Sequence, residues 1–154
     1  MQVLTQGEQF LRLHAPDIQV TELEKSTATV SEAAEAFGVE SGQIAKSLTF
    51  TVGKDIVLLV MPGDRRLDNK KFKNFFGVKA RMLPADEVEY HTGFKPGGVS
   101  PLGVAAQVKV YCDVGLRQYD EILPAGGSGQ SGVRITPERL AEITRAEWVD
   151  MSSL

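Results

Sequence analysis

The chain has 154 residues, 42% of them hydrophobic and only 7% aromatic, and its 17 basic against 20 acidic side chains leave a formal net charge of −3. That balance belongs to an ordinary soluble domain, and a chain of this length buries roughly 70% of its unfolded surface without metal or disulfide staples. The single Cys112 excludes an internal disulfide framework and a Cys-rich zinc site, while no apolar run approaches the ~18 residues of a membrane span. The expectation is one cytoplasmic domain over residues 1–154, with no cofactor, no metal and no membrane contact.

Thr5-Gln6-Gly7-Glu8 has the spacing of a capping box, with Leu4 as a staple before it, and predicts a helix to about His14. Pro16 and Asp17 break it, and Ile18 and Val20 alternate with polar neighbours toward a short strand ending near Leu23. A second capping box, Thr29-Val30-Ser31-Glu32, opens a helix with Val30, Ala33, Ala34 and Phe37 on one stripe and Gly38 at its end. From Ile44 to Val52 the period becomes two, and Gly53-Lys54-Asp55 leads into the unbroken apolar run Ile56–Met61, so the two strands form a hairpin.

A helix follows from near Asp68 to Gly77, with Phe72, Phe75 and Phe76 facing the core. Val78–Met82 reads as a strand and Ala85–Tyr90 as a short helix. Residues 92–103 hold too much Gly and Pro for either regular state. Strands are expected at Val108–Cys112, from Glu121 to Leu123 and at Val133–Ile135, the last preceded by the Gly-rich Ala125–Gly132. Thr136 and Pro137 then cap a final helix through Leu140 and Ile143. With no repeat or linker, the order predicts a single α+β domain, a mixed and mainly antiparallel sheet flanked by helices.

The net charge hides an asymmetry. Residues 1–43 carry seven acidic side chains against two basic ones, whereas residues 64–81 set Arg65, Arg66, Lys70, Lys71, Lys73, Lys79 and Arg81 against Asp64 and Asp68 alone. That stretch is either a solvated helix face or a phosphate-facing patch in which Arg65, Arg66, Lys70 and Lys71 would touch a nucleic acid.

Lys46 falls in phase with Ile44, Leu48, Phe50 and Val52, on the apolar side of its strand. It either snorkels to water or projects into a cleft to hold an anion. Nine of the 15 glycines lie between Gly93 and Gly132, in loops whose backbone N–H groups can be aimed at one oxygen. Other motifs fail. Gly127–Gly132 matches GxGxxG but runs into a strand rather than a helix, which argues against a dinucleotide site. Cys112 alternates with Val108 and Val110, as a buried thiol does, and the two histidines have no metal-ligand spacing.

Taken in order, Thr29–Ala34, Gln43–Leu48, Gly63–Asp68, Thr92-Gly93-Phe94, Gly97–Gly103 and Ala125-Gly126-Gly127 resemble the YbaK/prolyl-tRNA synthetase-associated domain family over roughly Ile18 to Val149. That family includes free-standing aminoacyl-tRNA deacylases and the editing insertion of bacterial prolyl-tRNA synthetases. The resemblance implies its α+β fold and hydrolysis of the ester between a wrong amino acid and the 3′ end of a tRNA, generally one for proline. A prolyl-tRNA synthetase is the further partner it implies, with the chain itself monomeric or a weak homodimer.

Lys46 matches the family's lysine that contacts the terminal nucleotide, and Gly97, Gly98, Val99, Ser100 and Pro101 match the GxxxP loop whose backbone meets the reacting ester. Thr29, Ser47, Thr92, Gly93, Ala125, Gly126 and Gly127 are the matching substrate-side positions. The chain departs from cysteine-clearing relatives, which have Ser-Gly-Gly and then Asp where it has Ala125-Gly126-Gly127 and Arg134, and it lacks the His-containing segment of the alanine-clearing branch. These departures bear on the amino acid removed. A module that binds aminoacyl-tRNA without hydrolysing it is the second functional class the residues allow.

Overall fold

The computed structural model describes residues 5–153; Leu4, the expected staple, lies outside them. Helix α1 (Gln6–His14) starts on a complete capping box, with Thr5 Oγ1 accepting from the Glu8 amide and the Glu8 carboxylate accepting from the Thr5 amide. Strand β1 (Thr21–Glu22) is shorter than expected. Helix α2 (Val30–Phe37) is capped by the Thr29 hydroxyl and closed by Gly38. A 3-10 turn at Ser41–Gln43 leads into β2 (Ile44–Val52), which returns as β3 (Asp55–Pro62) in the expected hairpin, registered from Val52↔Asp55 to Ala45↔Pro62.

After the two-residue β4 (Arg66–Leu67), helix α3 (Asn69–Phe76) begins at Asp68, whose carboxylate accepts from the Lys70 and Lys71 amides. Helix α4 spans Ala85–Thr92, and β5 (Lys109–Asp113) runs into a 3-10 turn at Val114–Gln118. Short strands β6 (Leu123–Pro124) and β7 (Ser131–Gly132) precede α5 (Pro137–Thr144), capped by Thr136. The chain finishes with β8 (Glu147–Val149) and β9 (Ser152–Ser153).

Five strands form one mixed sheet in the order β6-β2-β3-β5-β8, with two-stranded ribbons β1-β7 and β4-β9 beside it. The α+β expectation holds. The antiparallel share resides in the long β2-β3 hairpin and the two ribbons, while β2-β6, β3-β5 and β5-β8 are parallel. Strand β3 is buried on both faces, as its unbroken apolar run requires. Leu58 and Val60 join a core with Leu11, Cys112, Leu116 and Leu140, and Val57, Leu59 and Met61 join a second with Phe50, Phe72 and Met151. In the second, the Phe50 and Phe72 rings sit 4.9 Å apart, and each fully buried ring contributes about 1.5–3 kcal/mol relative to exposure.

Three expected strands are revised. Val78–Met82 contracts to one bridge, Phe50↔Met82, with Met82 itself 55% exposed. The strand expected from Glu121 shifts to Leu123–Pro124, and Val133–Ile135 keeps only the bridge Ile122↔Ile135. The pairing that remains is short: the Thr51 amide donates to Arg81 O and the Leu83 amide to Thr49 O, and the Val133 amide donates to Pro124 O beside the Ile122–Ile135 bridge. Among the described residues no helix is long and apolar enough to cross a membrane.

Candidate active site

The N-terminal half of β2, the start of α2, the Gly97–Val99 loop and the β6-to-β7 segment enclose a cavity of about 240 Å³. Helix α2 lends Val30, Ala33 and Phe37, the stripe that its spacing assigns to a core. Strand β2 lends Ile44 to Leu48, β6 lends Leu123 and Pro124, and Ala125, Ser131 and Gly132 close the far side. The wall holds one ionisable side chain, Lys46, and otherwise aliphatic surface, the Phe37 ring, hydroxyls and backbone. Among the described residues no cluster of His, Cys, Asp and Glu could hold a metal ion.

Lys46 stands opposite Met61 in the hairpin, half-buried, and its Nζ donates to the Arg65 carbonyl. Burial pushes this ammonium below the usual lysine range, and the Asp64 carboxylate partly offsets the shift. Lys46 thus lines the cavity with its stem half-covered, while its ammonium is held at the Arg65 carbonyl. Beside it, Ser47 Oγ is buried with no hydrogen-bond partner among the described residues. A buried hydroxyl on a cavity wall that lacks a partner is the natural place for a polar group of a ligand or a water.

The opposite wall is backbone. Gly97 has φ +87°, in the left-handed region that favours glycine. At Gly98 a Cβ would stand 2.9 Å from the Cα and carbonyl carbon of Ser128, so the 97–98 loop lies directly on the 128–129 loop. The Gly-rich run 125–132 therefore backs the first loop at Ser128 and lines the cavity at Ala125, Ser131 and Gly132. Thr27 binds into the same stack, its amide donating to Gly129 O and its hydroxyl to Ser131 O. Within the loop the Gly98 amide donates to Lys95 O and the Leu102 amide to Ser100 Oγ, so both amides are engaged locally.

Of the residues singled out from sequence, Thr29, Lys46, Ser47, Gly97, Val99 and Ala125 line the cavity. Gly98, Ser100 and Pro101 are buried behind the wall and shape it. Thr92 is fully buried and bonded to Val88 O, Phe94 O and the Phe94 amide, and Gly93 caps α4. Gly126 packs on Val20 and Ser131, and Gly127 on Phe94. These four serve the architecture around the cavity and do not line it.

Arg66 and Lys70 are exposed, Arg65 is partly covered, and none of the three is in an ion pair among the described residues. Lys71 differs from the free cation expected, because it pairs with Asp150 at 2.9 Å and donates to Ser152 O. Cys112 is fully buried, and burial pushes its thiol up to about 12, so it stays protonated and inert. Arg134 lies outside the cavity; it bonds Glu121 and the Phe37 carbonyl and so holds a wall residue from behind. Residues missed at the sequence level, Ala33, Phe37 and Leu123 above all, carry the same apolar signal as core and nothing else.

Residues 24–143 match the aminoacyl-tRNA editing domain family. The Bacillus subtilis protein YwhH is 46% identical over 134 residues, covering 86% of this chain and 85% of that one. A candidate Cys-tRNA(Pro)/Cys-tRNA(Cys) deacylase of Enterococcus faecalis, EbsC, is 32% identical over 78% of this chain and 74% of its own. The proline–tRNA ligase of Shouchella clausii is 33% identical over 84% of this chain but only 24% of the ligase. Among solved structures, a candidate trans-editing enzyme for prolyl-tRNA synthetase superposes with a TM-score of 0.90 at 34% identity, covering 99% of this chain and 100% of that one. With sequence, fold and full-length coverage in agreement, the chain belongs to the aminoacyl-tRNA editing domain family.

Proposed function

We propose that this chain acts along its whole length as one trans-editing domain, hydrolysing the ester that joins a small, wrongly attached amino acid to the terminal adenosine of a tRNA for proline. The observation that carries the reading is that Lys46, Gly97 and Val99 line one cavity whose wall, among the described residues, holds no carboxylate, imidazole or thiol. The side-chain chemistry on such a wall is limited to hydroxyls and Lys46, with no His, Cys, Asp or Glu among the lining residues. It suits an activated ester attacked by water, or by the substrate's own thiol where it has one.

Lys46 holds the 3′-terminal nucleotide as a compact positive charge. In this reading the amides of Gly97 and Val99 stabilise the oxygen on which charge develops as the attacking oxygen bonds to the carbonyl carbon, since the Gly98 amide is engaged by Lys95 O. The bond from that carbon to the ribose oxygen then breaks. A proton from the attacking water ends on the ribose oxygen, giving a free amino acid and an uncharged tRNA. The aliphatic wall of Val30, Ala33, Ile44 and Leu123 accepts a small uncharged side chain, with the Ser47 hydroxyl available to a polar atom. Arg65, Arg66 and Lys70 add salt-dependent attraction for the tRNA backbone. The named activity of EbsC and the span shared with proline–tRNA ligases support a proline tRNA.

The test is a deacylation panel of purified protein against proline tRNA charged with alanine, cysteine, serine, threonine and small non-protein amino acids. Hydrolysis of at least one ester well above its spontaneous rate is expected. A panel left intact by protein that still binds the tRNA replaces the hydrolase with a binding module.

A further inference from the structure

Asp113, at the end of β5, is fully buried and has no basic partner within ion-pair distance among the described residues. Its carboxylate accepts four hydrogen bonds. Oδ1 takes the Met151 and Ser152 amides at 2.7 and 3.1 Å, and Oδ2 takes the Gly115 amide and the Ser152 hydroxyl, both at 2.9 Å. Three of the four donors belong to the last stretch of the chain. A buried carboxylate with three of its four bonds aimed at one strand end is a clasp, since a charged acceptor bonds more strongly than a neutral one and is costly to leave unfilled.

The strand it clasps has one further job. Ser152 and Ser153 pair with Leu67 and Arg66 in the β4-β9 ribbon, the Asp68 amide donates to Met151 O, and Lys71 reaches Ser152 O. The C-terminal strand thus pins the segment from Arg66 to Asp68 against the body of the protein. Immediately before that segment is Arg65, whose carbonyl receives the Lys46 Nζ. Without the strap, the Arg65 peptide keeps the turn bond from its own amide to Pro62 O and the bond from Lys46 itself to its carbonyl.

We propose that Asp113 is a positioning residue for Lys46: it anchors the C-terminal strand, which fixes the Arg65 carbonyl, which in turn holds the lysine ammonium at the cavity. The inference rests on the deacylase reading of Lys46 for its consequence in catalysis, while the linkage itself is a property of the fold. Loosening the clasp leaves the cavity walls and the Gly97 loop in place and lets the charge wander. Small misplacements of a positioned group cost roughly ten- to a hundredfold in rate.

The experiment is a double-mutant cycle between Asp113→Asn and Lys46→Ala on deacylation of the best ester from the panel, with Lys46 followed by the NMR signal of its ε-methylene in lysine-labelled protein. Asp113→Asn should lower kcat/KM roughly tenfold in the wild-type background and leave the Lys46→Ala protein unchanged. The ε-methylene signal of Lys46 should shift and sharpen, with that of Lys109, at the far end of β5, unmoved. If Asp113→Asn does not fold, Ser152→Ala, which removes one donor, carries the same cycle with roughly a threefold effect. An equal loss in both backgrounds, or an unmoved Lys46 signal in a folded clasp variant, overturns the proposal. Should Lys46→Ala itself keep full activity, the deacylase role of Lys46 fails, and the signal alone decides whether the clasp holds the lysine.

Discussion

The two walls of the cavity are built on opposite plans. The strand wall, Ile44 to Leu48, lies on a regular hairpin and presents side chains, with Lys46 as its one charge and Ser47 as an unpartnered hydroxyl. The loop wall, Gly97 to Val99 with the Ser128 turn behind it, presents backbone, and it is held by contacts so close that Gly98 has no room for a Cβ. Chemistry carried by a side chain on a rigid strand can be removed without moving the scaffold. Chemistry carried by a backbone cannot, because any substitution that reaches it also displaces it.

The largest expected effect falls on the strand wall. Lys46→Met should lower deacylation roughly 10- to 100-fold, the ~1.5–3 kcal/mol of a charged hydrogen bond, as read by single-turnover rates. Thermal melting of the same variant should stay level or rise, since the native ammonium is desolvated. The folded pKa of Lys46 lies below its unfolded value, so between the two the unfolded chain binds more protons and stability rises with pH; at lower pH the charged lysine costs stability. Activity has the opposite sign. Holding an anion needs the ammonium, so KM for tRNA should climb with alkaline pH earlier than an ordinary lysine would allow.

On the loop wall, Gly98→Val should cost activity and stability together, about 1–3 kcal/mol of stability by denaturant unfolding and roughly tenfold in rate, because the new side chain must push the 97–98 loop off Ser128. A Gly98→Val protein that melts normally yet is inactive would erase the contrast between the walls. The smallest effect is at Ser47. Ser47→Ala removes a hydroxyl without a partner, so stability should hold, while KM for a substrate with a polar side chain rises roughly threefold to tenfold and that for alanine does not.

The difference between the walls also governs what could be read from the chain. The hairpin, the capped helices α1, α2, α3 and α5, and the phase that singles out Lys46 follow from periodicity and capping chemistry, which act over a few neighbouring residues. Two-residue strands such as β4 and β9 have no periodicity to detect, and β9 is tied to the fold by a contact the sequence does not signal, the Ser152 amide and hydroxyl on a buried Asp113 at a distance of 39 residues. Likewise, Gly97 and Gly126 look alike in sequence, yet one lines the cavity and the other packs behind it, a distinction made by tertiary contacts alone. Ala33 and Phe37 read as core because a cavity wall for an apolar side chain has the chemistry of a core.

The most direct test of the central claim, that Lys46 and the Gly97–Val99 backbone hold one aminoacylated nucleotide from two sides, is an NMR titration with a non-hydrolysable amide analogue of 3′-aminoacyl adenosine 5′-monophosphate. The account predicts that the amide signals of Gly97 and Val99 and the ε-methylene of Lys46 shift together along one binding curve, with the amide of Gly98, engaged by Lys95 O, moving least. Binding that moves Lys46 without the loop amides, or the loop without Lys46, would contradict it.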